Sequence, residues 1–388
     1  MNVIFFDGVE AENLRPLTLN KPLAELRMGI FTFKERWEKL IPGNYSYLTA
    51  DYLSEKFSLQ TEKINLFLNP AYFPNGLLTT TILRLKEGES LWQHGSLIAG
   101  KFSFEDFQKS EKHQKRHEFE GGIIRIRHLW DLFTYNPYAL KVDFDKLIEG
   151  RASQRISPTN GVFNAKNIFI EEGAEVEYSI LNAKEGPIYI GKNAEVMEGC
   201  MVRGSLALCE GAKLSMGAKI YSGTTIGPHC KVGGEVNNSI LMGYSNKGHE
   251  GFLGNSVIGE WCNLGADTNN SNLKNNYSGI KIWNYPTKSY LDTGLQFCGL
   301  MMGDFSKSAI ATRFNTGTVV GVSANVFLDG FPPKFIPSFS WGGEENSERF
   351  DLERSYDAAS KMMERRKKIL TDLDKEILKH IFSEISEY

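Results

Sequence analysis

IGKNAEVMEGCMVRGSLALCEGAKLSMGAKIYSGTTIGPHCKV, residues 190–232, is the stretch from which the fold of this chain can be read. Within it Ile190, Val196, Val202, Leu208, Leu214, Ile220, Ile226 and Val232 are aliphatic at intervals of six. A second row stands two residues ahead of the later ones, at Ala194, Cys200, Leu206, Ala212, Ala218, Thr224 and Cys230, and all but Leu206 are small. Neither the 3.6-residue period of a helix nor the two-residue period of a strand gives this spacing. With Val, Ile, Leu and Met at roughly a quarter of an average chain, eight matches in a row have a chance on the order of 10⁻⁵ in one register. A period of six predicts a hexapeptide parallel β-helix, three hexads to a coil, each hexad giving one flat side and one corner. The aliphatic row points inward, the small row lies at the corners, and coils stack about 4.8 Å apart.

Beyond Val232 the register breaks. Hexads are expected to resume at Phe252, Ile258 and Leu264, with Ser256 and Cys262 in the small row but two residues out of step, which reads as an insertion in Met242 to Gly251, MGYSNKGHEG. A loop that interrupts a solenoid points to function. The Asn-rich run Asn269 to Asn276, extended to about Leu295, is a second interruption, after which the period returns at Met302, Ser308, Phe314, Val320 and Val326. Glu348 to Glu387 reads as one or two charged amphipathic helices, with Leu352, Met362, Met363, Ile369, Leu370, Leu373, Ile377 and Leu378 as the apolar face, capping the open end of the prism.

Ahead of the repeat, residues 1–150 alternate short apolar runs with helical stretches, which suggests an α/β domain. Val3 to Phe6 and Ile64 to Leu68 read as strands, and Ile30 to Leu40 as an amphipathic helix. Ile126 to Leu147 reads as a pair of short helices joining that domain to the prism, with Trp130, Leu132 and Phe133 at an interface or in a core. The expected organisation is an α/β domain (1–150), a linker (151–161), an all-β parallel β-helix (162–340) and a C-terminal helical segment (341–388).

Composition excludes several classes. A net charge of −3 over 388 residues, with no basic block, argues against general nucleic-acid binding. No apolar run approaches membrane-spanning length, and the N-terminus does not resemble a signal peptide, so a cytoplasmic protein is expected. Cys200, Cys209, Cys230, Cys262 and Cys298 form no CxxC pair and fall mostly within the repeat, which makes them small core residues of a reducing compartment.

Two segments carry chemistry. The first, LRPLTLNKPLAELRMG (Leu14 to Gly29), resembles the signature of sugar-phosphate nucleotidyltransferases, matching at Leu14, Arg15, Pro16, Leu17, Thr18, Lys21 and Pro22. The resemblance implies nucleotide binding by Arg15 and Lys21, with UTP and Mg²⁺ as co-substrate and metal. The Gly-rich loop that lets backbone amides approach a triphosphate is replaced here by Asp7-Gly8-Val9-Glu10-Ala11-Glu12-Asn13, whose carboxylates repel phosphate. The strand that ends in Gly-Asp in that family ends here in Leu68-Asn69-Pro70. Asp7 is either a metal ligand or a strand-end carboxylate facing water.

The second segment, GHEGFLGNSVIGEWCNLGADT (Gly248 to Thr268), resembles the acetyltransferase region of the bifunctional N-acetylglucosamine-1-phosphate uridyltransferase/glucosamine-1-phosphate acetyltransferase family, whose prisms are left-handed and trimeric. The resemblance implies His249 as general base, Asn263 and Phe252 at the sugar, and Ala266 along the acetyl-CoA channel. Asn276-Tyr277 with Lys281 look like the family's later Asn-Tyr pair and lysine. The family's phosphate-holding Arg and Lys have no clear counterparts, which leaves Lys219 and Lys247 as substitutes or as ordinary solvated lysines. The implied function is acetyl-CoA-dependent N-acetylation of an amino-sugar phosphate, coupled to uridyl transfer, in a homotrimer that makes UDP-N-acetylglucosamine for the cell wall. Acylation of another amino sugar and a sugar-nucleotide sensor with an inactive first domain are the alternatives.

Overall fold

The computed structural model describes residues 1–109, 115–344 and 348–384. Its contacts divide into two units, one of residues 1–14, 20–26 and 31–128, the other of residues 15–19, 27–30 and 129–388.

The first unit is an α/β domain around a six-stranded sheet, ordered 44–48, 2–6, 65–68, 96–102, 89–93, 115–118. The first three strands are parallel, and the strand 96–102 runs antiparallel to 65–68. Strand Asn2–Phe6 is buried on both faces, so it reads as a continuous apolar run. Val3 and Phe5 face a core with Trp37, Leu66, Leu68 and Ile82, while Ile4 faces Phe67 and Phe102. The expected strands are present, and the expected helix spans Phe33–Glu38, started by a capping box of Thr32 and Glu35.

The second unit is a parallel β-solenoid of three sheets, of nine, ten and six strands, and it fits a left-handed β-helix. Ile190 pairs with Leu208 and Leu208 with Ile226, eighteen residues a coil, and every member of the aliphatic row from Ile190 to Val232 is buried. The small row is equally buried. The tight turn itself is taken by the residue just ahead of it: Asn193, Gly199, Gly211, Gly217, Gly223 and His229 all have positive φ. Glycine is favoured there because a Cβ crowds the following carbonyl, and asparagine is tolerated because its short polar side chain can hydrogen-bond locally.

The register break proves to be a shortening. Inward residues run Val232, Val236, Leu241, Lys247, Leu253, Ile258 and Leu264, so the steps 232–236, 236–241 and 253–258 lose one or two residues while the step across His249 keeps six. The expected insertion at 242–251 is therefore corrected to missing residues on either side of it. Phe252 is corrected likewise: Leu253 points inward, and the Phe252 ring lies outside over Gly254, which has no Cβ to exclude it. After Asn270 the chain leaves the coil until Gly299. The inward-facing Asn270 amide bonds the Gly254 N–H and C=O, supplying partners that a regular next rung would have given.

Residues 129–148 form one helix, not the expected pair, with Pro137 inside it. Leu129, Leu132, Phe133, Asn136, Leu140 and Phe144 are buried at helical spacing on both sides of the proline, and that packing outweighs one lost backbone hydrogen bond. This helix crosses the first sheet, where Asn136 Nδ2 donates to Gly223 O (2.7 Å) and its Oδ1 accepts from Gly29 N (2.6 Å) and Thr225 Oγ1 (3.1 Å). The C-terminal helices Leu352–Glu364 and Asp372–Glu384 lie along the prism instead of capping its end, since Arg366 reaches Asn246 (3.3 Å) and Phe382 packs on Phe339. The last coil is closed by the antiparallel strand Glu348–Arg349. Ile369 is exposed, in the turn between the helices, and the tail of the expected segment, 385–388, lies outside the described residues.

Candidate functional site

His249 stands at the corner between the second and third sheets, two residues past inward-facing Lys247. The same corner position is held by Met216 two coils earlier, by Ala266 one coil later, and by Ile310 after that. In the coil just before His249 the corner is only Gly233-Gly234, and the two missing residues leave a notch beside it. Both glycines are required. A Cβ on Gly233 would lie 2.6 Å from Gly248 O, and one on Gly234 2.7 Å from Gly251 O. His249 is exposed, and its imidazole makes no hydrogen bond or ion pair with a described residue. Its own carbonyl is tied from below, accepting from Lys247 Nζ at 2.7 Å, and the Gly248 carbonyl accepts from Ser215 Oγ at 3.0 Å.

Lys247 is the residue that sequence reading placed wrongly. It is neither solvated nor aimed outward, but fills an inward position between Val232 and Leu264 at 2% exposure. Burial lowers its pKa to about 8, the carboxylates of Glu250 and Asp267 oppose that shift, and Lys219 adds to it. Lys219 is on the outer face of the third sheet, 3.5 Å from Glu250.

Ala266 holds the equivalent corner of the next coil, and the two corners are tied by Asp267 N donating to Glu250 O (3.0 Å). Phe252 flanks them on the third face, its N–H donating to Asn269 Oδ1 (2.8 Å), and Asn263 flanks them on the second face, in file with Asn246 and Lys307. Asn276, Tyr277 and Lys281 are not brought to this corner within one chain. They belong to the excursion after Asn270, at the opposite end of the third face, where Ser271, Leu273, Lys274, Asn276, Asn315 and Phe331 line an open groove of about 540 Å³. Tyr277 is exposed there.

The third face carries exposed apolar residues. Outward residues of the first sheet, including Thr225, Ile240, Val257 and Met301, are buried. On the third, Ile180 and Met201 stand in file at 43% and 58% exposure, with Tyr221 close behind at 43%.

In the first unit, the carboxyl ends of the central parallel strands are where open α/β sheets take ligands. Asp7 and Asn69 follow those ends. Asp7 accepts from Leu23 N (3.0 Å) and Thr49 Oγ1 (2.5 Å), and loss of water raises its pKa to about 6 against those bonds. The loop that followed Asp7 in the sequence is a short helix, Val9–Asn13, with Glu10 fully buried against Arg125 (2.5 Å) and near Asn69. Lys21 is buried in this unit. Arg15 belongs to the second unit, with Nη1 3.8 Å from Glu384 Oε2. No group of three metal-ligating side chains occurs among the described residues. Sequence reading missed Arg125, which no motif marks.

Residues 3–152 match the family model for sugar nucleotidyl transferases. That nucleotidyl transferase-like segment covers the first unit from residue 3 on, with parts of the second, and less than half of the chain. No curated protein matches the chain. Among solved structures, an Arabidopsis UDP-N-acetylglucosamine acyltransferase is 12% identical over 60% of this chain and 98% of its own, with a TM-score of 0.19. A UDP-N-acetylglucosamine acyltransferase from Campylobacter jejuni is 11% identical over 59% and 96%, with a TM-score of 0.16. TM-scores this low carry no weight, and the fold rests on the coil register. No helix among the described residues is long and apolar enough to cross a membrane.

Proposed function

We propose that the prism is an acetyl-CoA-dependent N-acetyltransferase for an amino-sugar phosphate of the glucosamine 1-phosphate kind, attached to a nucleotidyl transferase-like domain that handles the sugar nucleotide. The observation that carries this reading is the His249 imidazole, exposed without a partner beside the Gly233-Gly234 notch. An amine attacking a thioester carbonyl must lose a proton, and a neutral imidazole accepts one near neutral pH. The thiolate of coenzyme A leaves as the amide forms, so no covalent enzyme intermediate is needed. All five cysteines are buried, and none adjoins His249 in sequence. The test is coenzyme A release across a panel of amino sugars and their 1-phosphates. Release driven by one 1-phosphate above all others supports the reading, and no release with any acceptor overturns it.

The acceptor site is completed, on this reading, by a second copy docking against the third face in a homotrimer, since His249 and Phe252 border that face and Ile180 and Met201 are exposed on it. Light scattering is expected to give three times the 43.7 kDa chain mass at micromolar protein. A monomer mass would remove the shared site.

For the first unit, a specific observation favours binding over turnover. Both Asp7 oxygens are engaged and Glu10 occupies Arg125, so these residues do not fit a Mg²⁺ and triphosphate site as they stand. A sugar-nucleotide sensor is the reading for this unit. Label passing from UTP into a sugar nucleotide in the presence of Mg²⁺ would replace it with active uridyl transfer.

A further inference from the structure

A lysine inside a hydrophobic prism needs a reason. The second sheet's inward file runs Val176, Val196, Leu214, Val232 and then Lys247, which takes the place that aliphatic residues hold elsewhere in the file. Stripping an ammonium of water is costly, and an unbranched apolar side chain of the same length would fill the position without that cost. Stability therefore does not explain the choice. The ammonium has a target instead. Nζ donates to the carbonyl of His249 at 2.7 Å, and the space in which it does so exists because the neighbouring corner is Gly234, where a Cβ would lie 2.9 Å from both Nζ and the His249 oxygen. Ser215 holds the preceding carbonyl from the same side. The main chain on both sides of the His249 Cα is thus tied, by Lys247 from an inward position and by half-buried Ser215 from a corner two coils earlier, while the imidazole is exposed.

We infer that Lys247 is a positioning residue that sets the stance of His249 by gripping its backbone carbonyl from inside the β-helix. This rests on the reading of His249 as the proton acceptor, and it adds a division of labour. The buried lysine and the shortened Gly-Gly corner hold the main chain, leaving every imidazole nitrogen open to substrate. An anchor whose stem is buried has less freedom than one reaching through solvent, because close packing limits side-chain rotation.

The variant that tests it is Lys247→Met, which keeps the volume and removes the donor. Its thermal midpoint should equal or exceed that of the parent, whereas coenzyme A release should fall about 10- to 100-fold with the acetyl-CoA KM within about twofold. Amide hydrogen exchange over residues 248–252 should accelerate while the rest of the prism is unchanged. Lys247→Gln, which keeps an N–H donor on a shorter stem, should recover part of the rate. A Met variant that is fully active with unaltered exchange overturns the inference, and so does one that unfolds or melts markedly earlier, because the lysine would then be supporting the core. His249→Ala measured in parallel separates the two ideas. If that variant is active, the proton-acceptor reading fails by itself, and the exchange data alone then judge the grip of Lys247 on the corner.

Discussion

Replacement of His249 by alanine is expected to slow acetyl transfer by about 10²–10⁴-fold, the usual worth of a positioned general base. The melting midpoint should hardly move, because the imidazole is exposed and bonded to nothing that it would leave unpaired. Acetyl-CoA affinity should also persist, since a base that acts only as the proton is transferred adds little to ground-state binding. Asn263→Ala should raise the apparent KM for the sugar instead, as it stands on the second face beside the corner and not at it. Nucleotide binding by the first unit should survive both changes. Near-normal transfer by His249→Ala, with the protein folded, would mean that the corner histidine is surface decoration.

The largest effect on stability is expected at Asn136. Its carboxamide is fully buried in the helix Leu129–Ile148 and joins Gly29 N, Gly223 O and Thr225 Oγ1. In Asn136→Leu the branched outline is kept at a larger volume, and two buried backbone groups lose their partners. Thr225 can fall back on Gly29 O at 2.9 Å. At about 1–3 kcal/mol for each orphaned group, the loss should be about 2–6 kcal/mol, read as a lower urea midpoint. Gly29 leaves no room for a side chain, for its φ is +76° and a Cβ there would lie 2.4 Å from Asp143 Oδ2. An unchanged midpoint would show that the helix does not close on the first sheet through this amide. Gly29 ends the segment whose Arg-Pro-Leu-Thr start resembles a nucleotide site, so one end of that segment is structural.

The prism was legible in the sequence because its constraint is local and repeated. Each inward position from Ile190 to Val232 sees the same cramped interior, so each selects an aliphatic residue without reference to distant parts of the chain. His249 and Ala266 were marked by resemblance alone, and the structure puts them at equivalent corners of neighbouring coils. What the sequence concealed is where that regularity stops. Shortened corners at 233–235, 237–240 and 254–257 shift the count without leaving a gap in hydrophobicity, so the six-residue period points to Phe252 where Leu253 is the inward residue. Lys247 could not be recognised as interior at all, because a charged side chain is placed inside only when a particular partner waits there, and its partner, the His249 carbonyl, is a backbone atom reached across a turn. The first unit shows the same division. Its strands followed from local apolar patterning, whereas the Glu10–Arg125 pair joins residues 115 positions apart, and only tertiary folding, which buries both charges together, makes either of them significant.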